Sequence, residues 1–567
     1  MYPLDRRLIA VPLSVLVLAA ALSGCGGSGS SGSPTAVAGL TATDANEQPR
    51  SAIKDGGTIR WAIDEFPRQW NLNHLDGATI AAASVTGALM PGAFGSDEQA
   101  ALSVATDYVT SAKLTSTKPR QVITYKLNRK ARWSDGKPLT WRDYAAQWKA
   151  LRSLDGKFLI ADNTGYDRVQ SVDRGTDDYE FTVTFKRPFA EWQSLFNPVY
   201  PEATNSDPEV FNKGWLNKIP VTAGPFKLGR IDKSAQTITI VRDPNWWGAP
   251  AKLDSIVLRA LIADAAIGAF VNGEVDVVDL GTEASAYKRA SAARGGVVRR
   301  AAGSDFRHLT INGASDILSD PLVRKAVARG ISREALAKAD LAGLDWPIKT
   351  MGNHFFVNTQ TGYEDNSGEV GEYDPKAAEA LLDQAGWKRS GEQRVKNGKT
   401  LDLRFVIPTG QKISKQEAEL TQQMLAQIGV KVTIKNVPLD RFFDDYVLEG
   451  DFDLTPFSWF GTPFPISSAQ AIYAKPVKDS KGALQVQQNF ARIGSDEIDR
   501  LMTTADVTLD PAKARALMNQ ADKLIWDEIH SLTLYQQPQL WGVNEKLANV
   551  GAFGLGGPAY EDVGFVK

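Results

Sequence analysis

Arg132-Trp133-Ser134-Asp135-Gly136-Lys137-Pro138-Leu139-Thr140 is the stretch on which the reading of this chain turns. Asp135-Gly136 is a turn signal. The run before it, Val122-Ile123-Thr124-Tyr125-Lys126-Leu127, alternates apolar and polar residues at the period of a strand. Thr140, with Asp143 three residues later, predicts a helix N-cap followed by an acidic first turn. Trp141, Tyr144, Ala145, Trp148 and Leu151 then fall on one helical face, and core packing is the preferred reading of these tryptophans. Strand, tight turn and amphipathic helix in succession are the grammar of an α/β protein.

The same grammar extends in both directions. Upstream, Gly56-Gly57 feeds the alternating strand Thr58–Ile63. Downstream, Gly224-Pro225-Phe226 opens a strand, and Thr237–Val241 alternates before Asn245-Trp246-Trp247-Gly248. Asn272-Gly273-Glu274-Val275-Asp276 reads as a helix end, a glycine stop and a buried strand. Asp320-Pro321 and Asp374-Pro375 each supply a cap and a first-turn proline, and Gly386 and Gly429 stop helices. Leu401–Ile407 and Val430–Ile434 return as strands. The expected fold class is α/β with largely parallel sheets; no repeat of fixed period is visible.

The N-terminal end carries a different signal. Arg6 and Arg7 precede an uncharged apolar stretch from Leu8 to Leu22, which ends in Leu22-Ser23-Gly24-Cys25. A basic start, a short apolar core and small residues before the cut predict a secretory signal peptide over 1–24. Leu-Ser-Gly-Cys resembles the lipobox of bacterial lipoproteins. That resemblance implies lipid attachment at Cys25, the single cysteine of the chain, and a location on the extracytoplasmic face of a bacterial membrane. Sec export is the default reading, since Arg6-Arg7 alone is a weak twin-arginine signal. The Gly/Ser-rich sequence that follows predicts a flexible tether over 25–54.

Composition narrows the function further. A formal net charge of −2 over 567 residues argues against nucleic acid as a partner, because it selects a strongly basic surface. With its one thiol assigned to the anchor, the body has no disulfide and no cysteine nucleophile. His74, His308, His354 and His530 are scattered without metal-ligand spacing. No P-loop, nucleophile elbow or dinucleotide fingerprint appears. Asp444-Asp445 and Asp177-Asp178 read as solvated faces. No catalytic residue, metal or cofactor is therefore assigned, although a hydrolase assembled from distant carboxylates would leave no sequence trace.

Taken in order, Trp133-Ser134-Asp135-Gly136 with Pro138, Thr140 and Asp143, then Gly224-Pro225-Phe226 with Asn245-Trp246-Trp247-Gly248, then Asn272–Asp276, Arg324-Lys325-Ala326 with Arg333-Glu334, and Tyr373-Asp374-Pro375 with Ala385-Gly386-Trp387 resemble the large extracytoplasmic solute-binding proteins of ABC importers, family 5, which includes oligopeptide-, dipeptide- and nickel-binding members. The resemblance spans about Gly56 to Tyr535. It implies a two-lobed periplasmic-binding-protein (Venus-flytrap) fold of the large type, with a lobe I core at 55–95, 223–308 and 531–567, an inserted subdomain at 96–222 and lobe II at 309–530. Crossings near Arg307–Asn312 and His530–Tyr535 would form a hinge. It further implies a monomeric receptor, not an enzyme, that captures a peptide or peptide-like solute and passes it to ABC permease and ATPase subunits.

The resemblance also places candidate ligand contacts. In peptide-binding members an aspartate follows a tryptophan turn and pairs with the ligand amine. Here Trp459-Phe460-Gly461-Thr462 puts Trp459 at the tryptophan and Thr462 at the aspartate. Asp440, Asp444 or Asp445 are the alternative acceptors. Otherwise the ligand lacks a free amine, and a saccharide or glycolipid bound by a regulatory lipoprotein of the cell envelope is the rival reading. Trp70 and Asn73, in the loop after the first strand, are the candidates from lobe I, with a core role for Trp70 weighed equally; Phe306 and Tyr535 complete the set.

Overall fold

The computed structural model describes residues 39–480 and 482–567. The signal peptide, Cys25 and the first part of the expected tether lie outside these residues. The chain divides into two compact units, one built from Thr41–Ala302 and Gln539–Lys567, the other from Gly303–Pro538. The expected lobe I core and inserted subdomain fall together in the first unit, except for 303–308 and 531–538, which belong to the second. Two long strands, Gly296–Ile311 and Ser531–Asn544, carry the chain across the boundary.

In the first unit, Thr58–Ile63 is flanked by two parallel neighbours, with Trp61 opposite Leu258 on one side and Val277 on the other. Ser255–Ala260, Thr237–Arg242 and Phe226–Asp232 then form an antiparallel meander. Val277–Asp279 pairs antiparallel with the final long strand, Asp279 opposite Trp541. The sheet is thus mixed rather than largely parallel, because hairpin turns and the returning strand reverse direction where a helical crossover was expected.

A second, four-stranded antiparallel sheet packs beside the helix Trp141–Leu151. The decisive stretch behaves as read. Gly136 takes a positive φ of 87°, Asp135 accepts from the Lys137 amide, and the Thr140 amide donates to Asp143 Oδ2 at 2.8 Å in a capping box. Trp133, Tyr144, Trp148 and Leu151 are buried, with Tyr125 stacked on Phe181 at 4.7 Å and Tyr144 also 4.7 Å from Phe181. Core packing is the role of these aromatic residues.

The described end of the expected tether is not free. Asp44 exchanges backbone hydrogen bonds with Ala552, Ile53 bridges Val566, and Ala45 and Ile53 are buried. Asn46 Nδ2 donates to the Leu547 carbonyl and the Gln48 amide to Asn549 Oδ1. The polar residues that suggested a solvated coil serve instead to satisfy backbone groups of a distant segment.

The second unit holds strands Lys431–Val437, Asp402–Pro408 and Leu454–Phe460 in that spatial order, mutually parallel, followed by the 303–311 part of the long strand running antiparallel. Helix Lys412–Gln427 makes the crossover between the first two, and Gly429, at φ 82°, ends it. Asp320 and Asp374 cap their helices by accepting the Leu322 and Ala377 amides. Among the described residues no helix is long and apolar enough to cross a membrane.

Candidate functional site

The candidate residues of the second unit gather around the end of strand Leu454–Phe460. Alternation sends Phe457 and Trp459 to one face and Phe460 to the other. Trp459 is half-buried and lies nearly parallel to Phe490 (5.8 Å, 8°) and to His308 (5.8 Å, 10°), with Phe457 edge-on at 5.3 Å. Phe443, exposed on a π-helical turn, Phe442–Val447, meets Phe457 at 5.5 Å. Such turns recur at functional sites. Burial, with Arg307 as the largest charged neighbour, holds His308 well below the usual histidine range, so the ring next to Trp459 is neutral.

Phe460 is the exposed member, with 47 % of its surface open. Gly461 follows, and its amide donates to the Ser304 carbonyl at 3.0 Å; a Cβ there would sit 2.4 Å from that oxygen, so the strand can turn so close only at glycine. Thr462 Oγ1 accepts from the Phe464 amide at 2.9 Å, and its carbonyl accepts from Gln360 Nε2 at 2.9 Å. Thr462 therefore shapes the turn into helix Pro465–Tyr473 and brings no charge to it. Of the alternative acids, Asp445 is paired with Arg441, while Asp440 and Asp444 are exposed.

Phe306 stands opposite Trp459 in register but is buried. Tyr535 is also buried, beside a charged cluster. Arg307 Nε and Nη2 donate to Glu417 Oε1 and Oε2 at 2.9 and 2.6 Å, and Nη2 also donates to Ser414 Oγ at 2.9 Å. Asp340 adjoins Glu417, Arg307 and Tyr535, and burial together with the Glu417 charge pushes its carboxyl up to about 9, so it is neutral at pH 7. Tyr535 thus belongs to the polar interior of the second unit.

In the first unit Trp70 has no exposed surface. Its amide donates to the Trp215 carbonyl, its carbonyl accepts from Tyr200 Oη at 2.7 Å, and Tyr200 is edge-on to Trp215 at 4.7 Å. The structure thus gives Trp70 the core role that was weighed equally with ligand contact. Asn73 is half-buried; its amide donates to Asn71 Oδ1, its carbonyl accepts from Ala161, and its Nδ2 has no partner among the described residues. His308, Phe443, Phe490 and Gln360 were not anticipated. Only Phe442-Phe443, an apolar pair amid Asp440, Asp444 and Asp445, carried a readable signal.

A mixed α/β chain in two units, joined by two crossing strands and carrying an aromatic, uncharged turn at a strand end, has the architecture of a solute receptor. Residues 103–481 match the family model of bacterial extracellular solute-binding proteins, family 5 (middle part), and the chain belongs to that family. It is 41 % identical over 564 residues to the oligopeptide-binding protein OppA of Mycobacterium tuberculosis, covering 98 % of this chain and 93 % of that one. It is 29 % identical over 239 residues, 42 % of this chain and 37 % of the other, to the probable monoacyl phosphatidylinositol tetramannoside-binding protein LpqW of the same species. Among solved structures, a periplasmic EDTA-binding protein, EppA, aligns with a TM-score of 0.81 at 27 % identity, over 93 % of this chain and 99 % of that one.

Proposed function

We propose that this protein is a receptor of an ABC importer that captures a peptide or peptide-like solute outside the cytoplasm and delivers it to a permease, without transforming it. The observation that carries this reading is the 41 % identity to an oligopeptide-binding protein across nearly the whole of both chains rather than over one shared segment. In this reading Trp459, Phe460, Gly461 and Thr462 present an aromatic and main-chain surface to the solute. Cys25 carries a lipid that keeps the receptor at the membrane, and one copy is the working form.

A second reading has its own support. The turn at Thr462 carries no carboxylate, and an uncharged aromatic turn suits the apolar faces of a saccharide or glycolipid headgroup. The partial likeness to a phosphatidylinositol mannoside-binding protein favours the same class.

Native mass spectrometry of the full-length protein purified from rich medium, before and after mild unfolding, separates the two. Co-purified masses spaced like amino-acid residues establish peptide capture. Hexose-spaced or lipid masses transfer the assignment to glycolipid. An empty protein whose thermal stability no peptide library raises removes peptide import as the function.

A further inference from the structure

His354 is fully buried in the second unit, and both of its ring nitrogens face oxygen acceptors. Nδ1 lies 2.7 Å from Asp522 Oδ1, and Nε2 lies 3.1 Å from the main-chain carbonyl of Ser531. A carbonyl only accepts, so Nε2 bears a hydrogen. Asp522 Oδ1 also accepts the His354 amide at 3.0 Å, and Oδ2 accepts Asn366 Nδ2 at 2.7 Å. A hydrogen must also lie between Nδ1 and Oδ1, since two bare lone pairs at 2.7 Å would repel. The pair therefore holds one proton more than a carboxylate and a neutral imidazole.

The neighbouring histidine makes the contrast. Asn489 Nδ2 donates to the Ala474 and Ile493 carbonyls, so its Oδ1 is free to accept from His530 Nε2 at 3.0 Å. His530 Nδ1 faces the Ser531 hydroxyl at 3.2 Å, which can donate to it. His530 is satisfied as a neutral ring, and burial, then the charge on His354 6.5 Å away, pushes it down to about 3.

The geometry points to His354 as a buried imidazolium on an ionised Asp522, a proton lock that fastens the segment around 350–366 to helix Pro511–Glu528 and to the start of strand Ser531–Asn544. The surroundings of Asp522 favour the proton on nitrogen, because the His354 amide and Asn366 Nδ2 each donate to one of its oxygens and so stabilise the ionised carboxylate. Three other groups lie around the ring. Tyr473 donates its hydroxyl to the His354 carbonyl at 3.2 Å, Trp526 lies 4.9 Å from the ring, and the Arg333 guanidinium sits over the far side of that indole at 4.9 Å from its centre. Of the other titratable groups, His308 feels the charge of His354, Tyr363 and Tyr473 feel that of Asp522, and Asp365 acts on Arg333. Nε2 ends on a main-chain carbonyl rather than a nucleophile, so the Asp–His pair is no part of a catalytic relay.

The test is nitrogen NMR of histidine-labelled full-length protein at pH 7. Two protonated ring nitrogens are expected for His354 in the wild-type protein and a single one in Asp522→Asn. A neutral His354 tautomer in the wild-type protein, or a ring still doubly protonated in Asp522→Asn, overturns the proposal. The wild-type spectrum decides by itself if the variant does not fold.

Discussion

Trp459 and Phe490 lie face to face at 8° with their centroids 5.8 Å apart, although 31 positions separate them in the sequence. The stack fixes the indole at the end of strand Leu454–Phe460, so under the proposed function this ring is held in place before the solute arrives. Pre-organisation of this kind lowers the ordering cost of binding.

Trp459→Ala should therefore affect both properties. Loss of a half-buried indole with partners in His308, Phe457 and Phe490 is expected to cost about 3 kcal/mol in urea unfolding, and solute affinity should fall at least tenfold in calorimetry. Trp459→Phe, which preserves the stack, should recover most of the stability.

Thr462 separates ligand classes. Thr462→Asp keeps an oxygen for the Phe464 amide and adds a negative charge. If free peptide amines reach this turn, their affinity should rise roughly 10- to 100-fold, the equivalent of about 1.5–3 kcal/mol for a charge-assisted hydrogen bond. Thr462→Val, which removes the acceptor at 2.9 Å from Phe464, should lower stability by about 1 kcal/mol and leave amine preference unchanged.

Arg307 and Glu417 form a buried bidentate pair in the second unit. Removing either partner alone strands a charge, and Arg307→Met or Glu417→Gln should each cost about 3–5 kcal/mol. The double variant Arg307→Met with Glu417→Leu should be markedly more stable than Arg307→Met alone, which urea unfolding of the two variants measures.

Acid should not weaken the fold at first. Glu561 is pushed up to about 7 and Asp143 to about 6, both chiefly by burial. An acid whose folded value is raised binds its proton more readily when folded, so each adds stability as pH falls from about 7 toward the unfolded range near 4. Melting temperatures should rise over that window, and Glu561→Gln should reduce the rise.

What could be read in the sequence was local. The Asp135-Gly136 turn and the Thr140–Asp143 capping box are complete within a dozen residues, and each formed as expected. Trp70 was ambiguous because Tyr200 and Trp215, far along the chain, decide its burial. The segment 41–54 read as a tether because its partners, 547–566, lie some five hundred positions away. Thr462 is legible as an uncharged position, yet its hydroxyl cap on Phe464 and its carbonyl contact with Gln360 depend on how the turn folds and on a segment about a hundred positions away. His308 and Phe490 reach Trp459 only through strand pairing and a distant loop, which no periodicity announces.

The second unit is an insertion between Ala302 and Gln539 of the first. Synthesis therefore finishes the units in the opposite order to that in which they begin. As the chain emerges, the inserted unit has all its residues while the first still waits for Trp541 to lie against Asp279 and for Ala552 and Val566 to receive the N-terminal segment. During that interval the incomplete unit exposes the edge of Val277–Asp279. A stalled or clipped C-terminus then leaves a folded inserted unit attached to an open sheet, which is the form that quality control outside the cytoplasm would have to recognise.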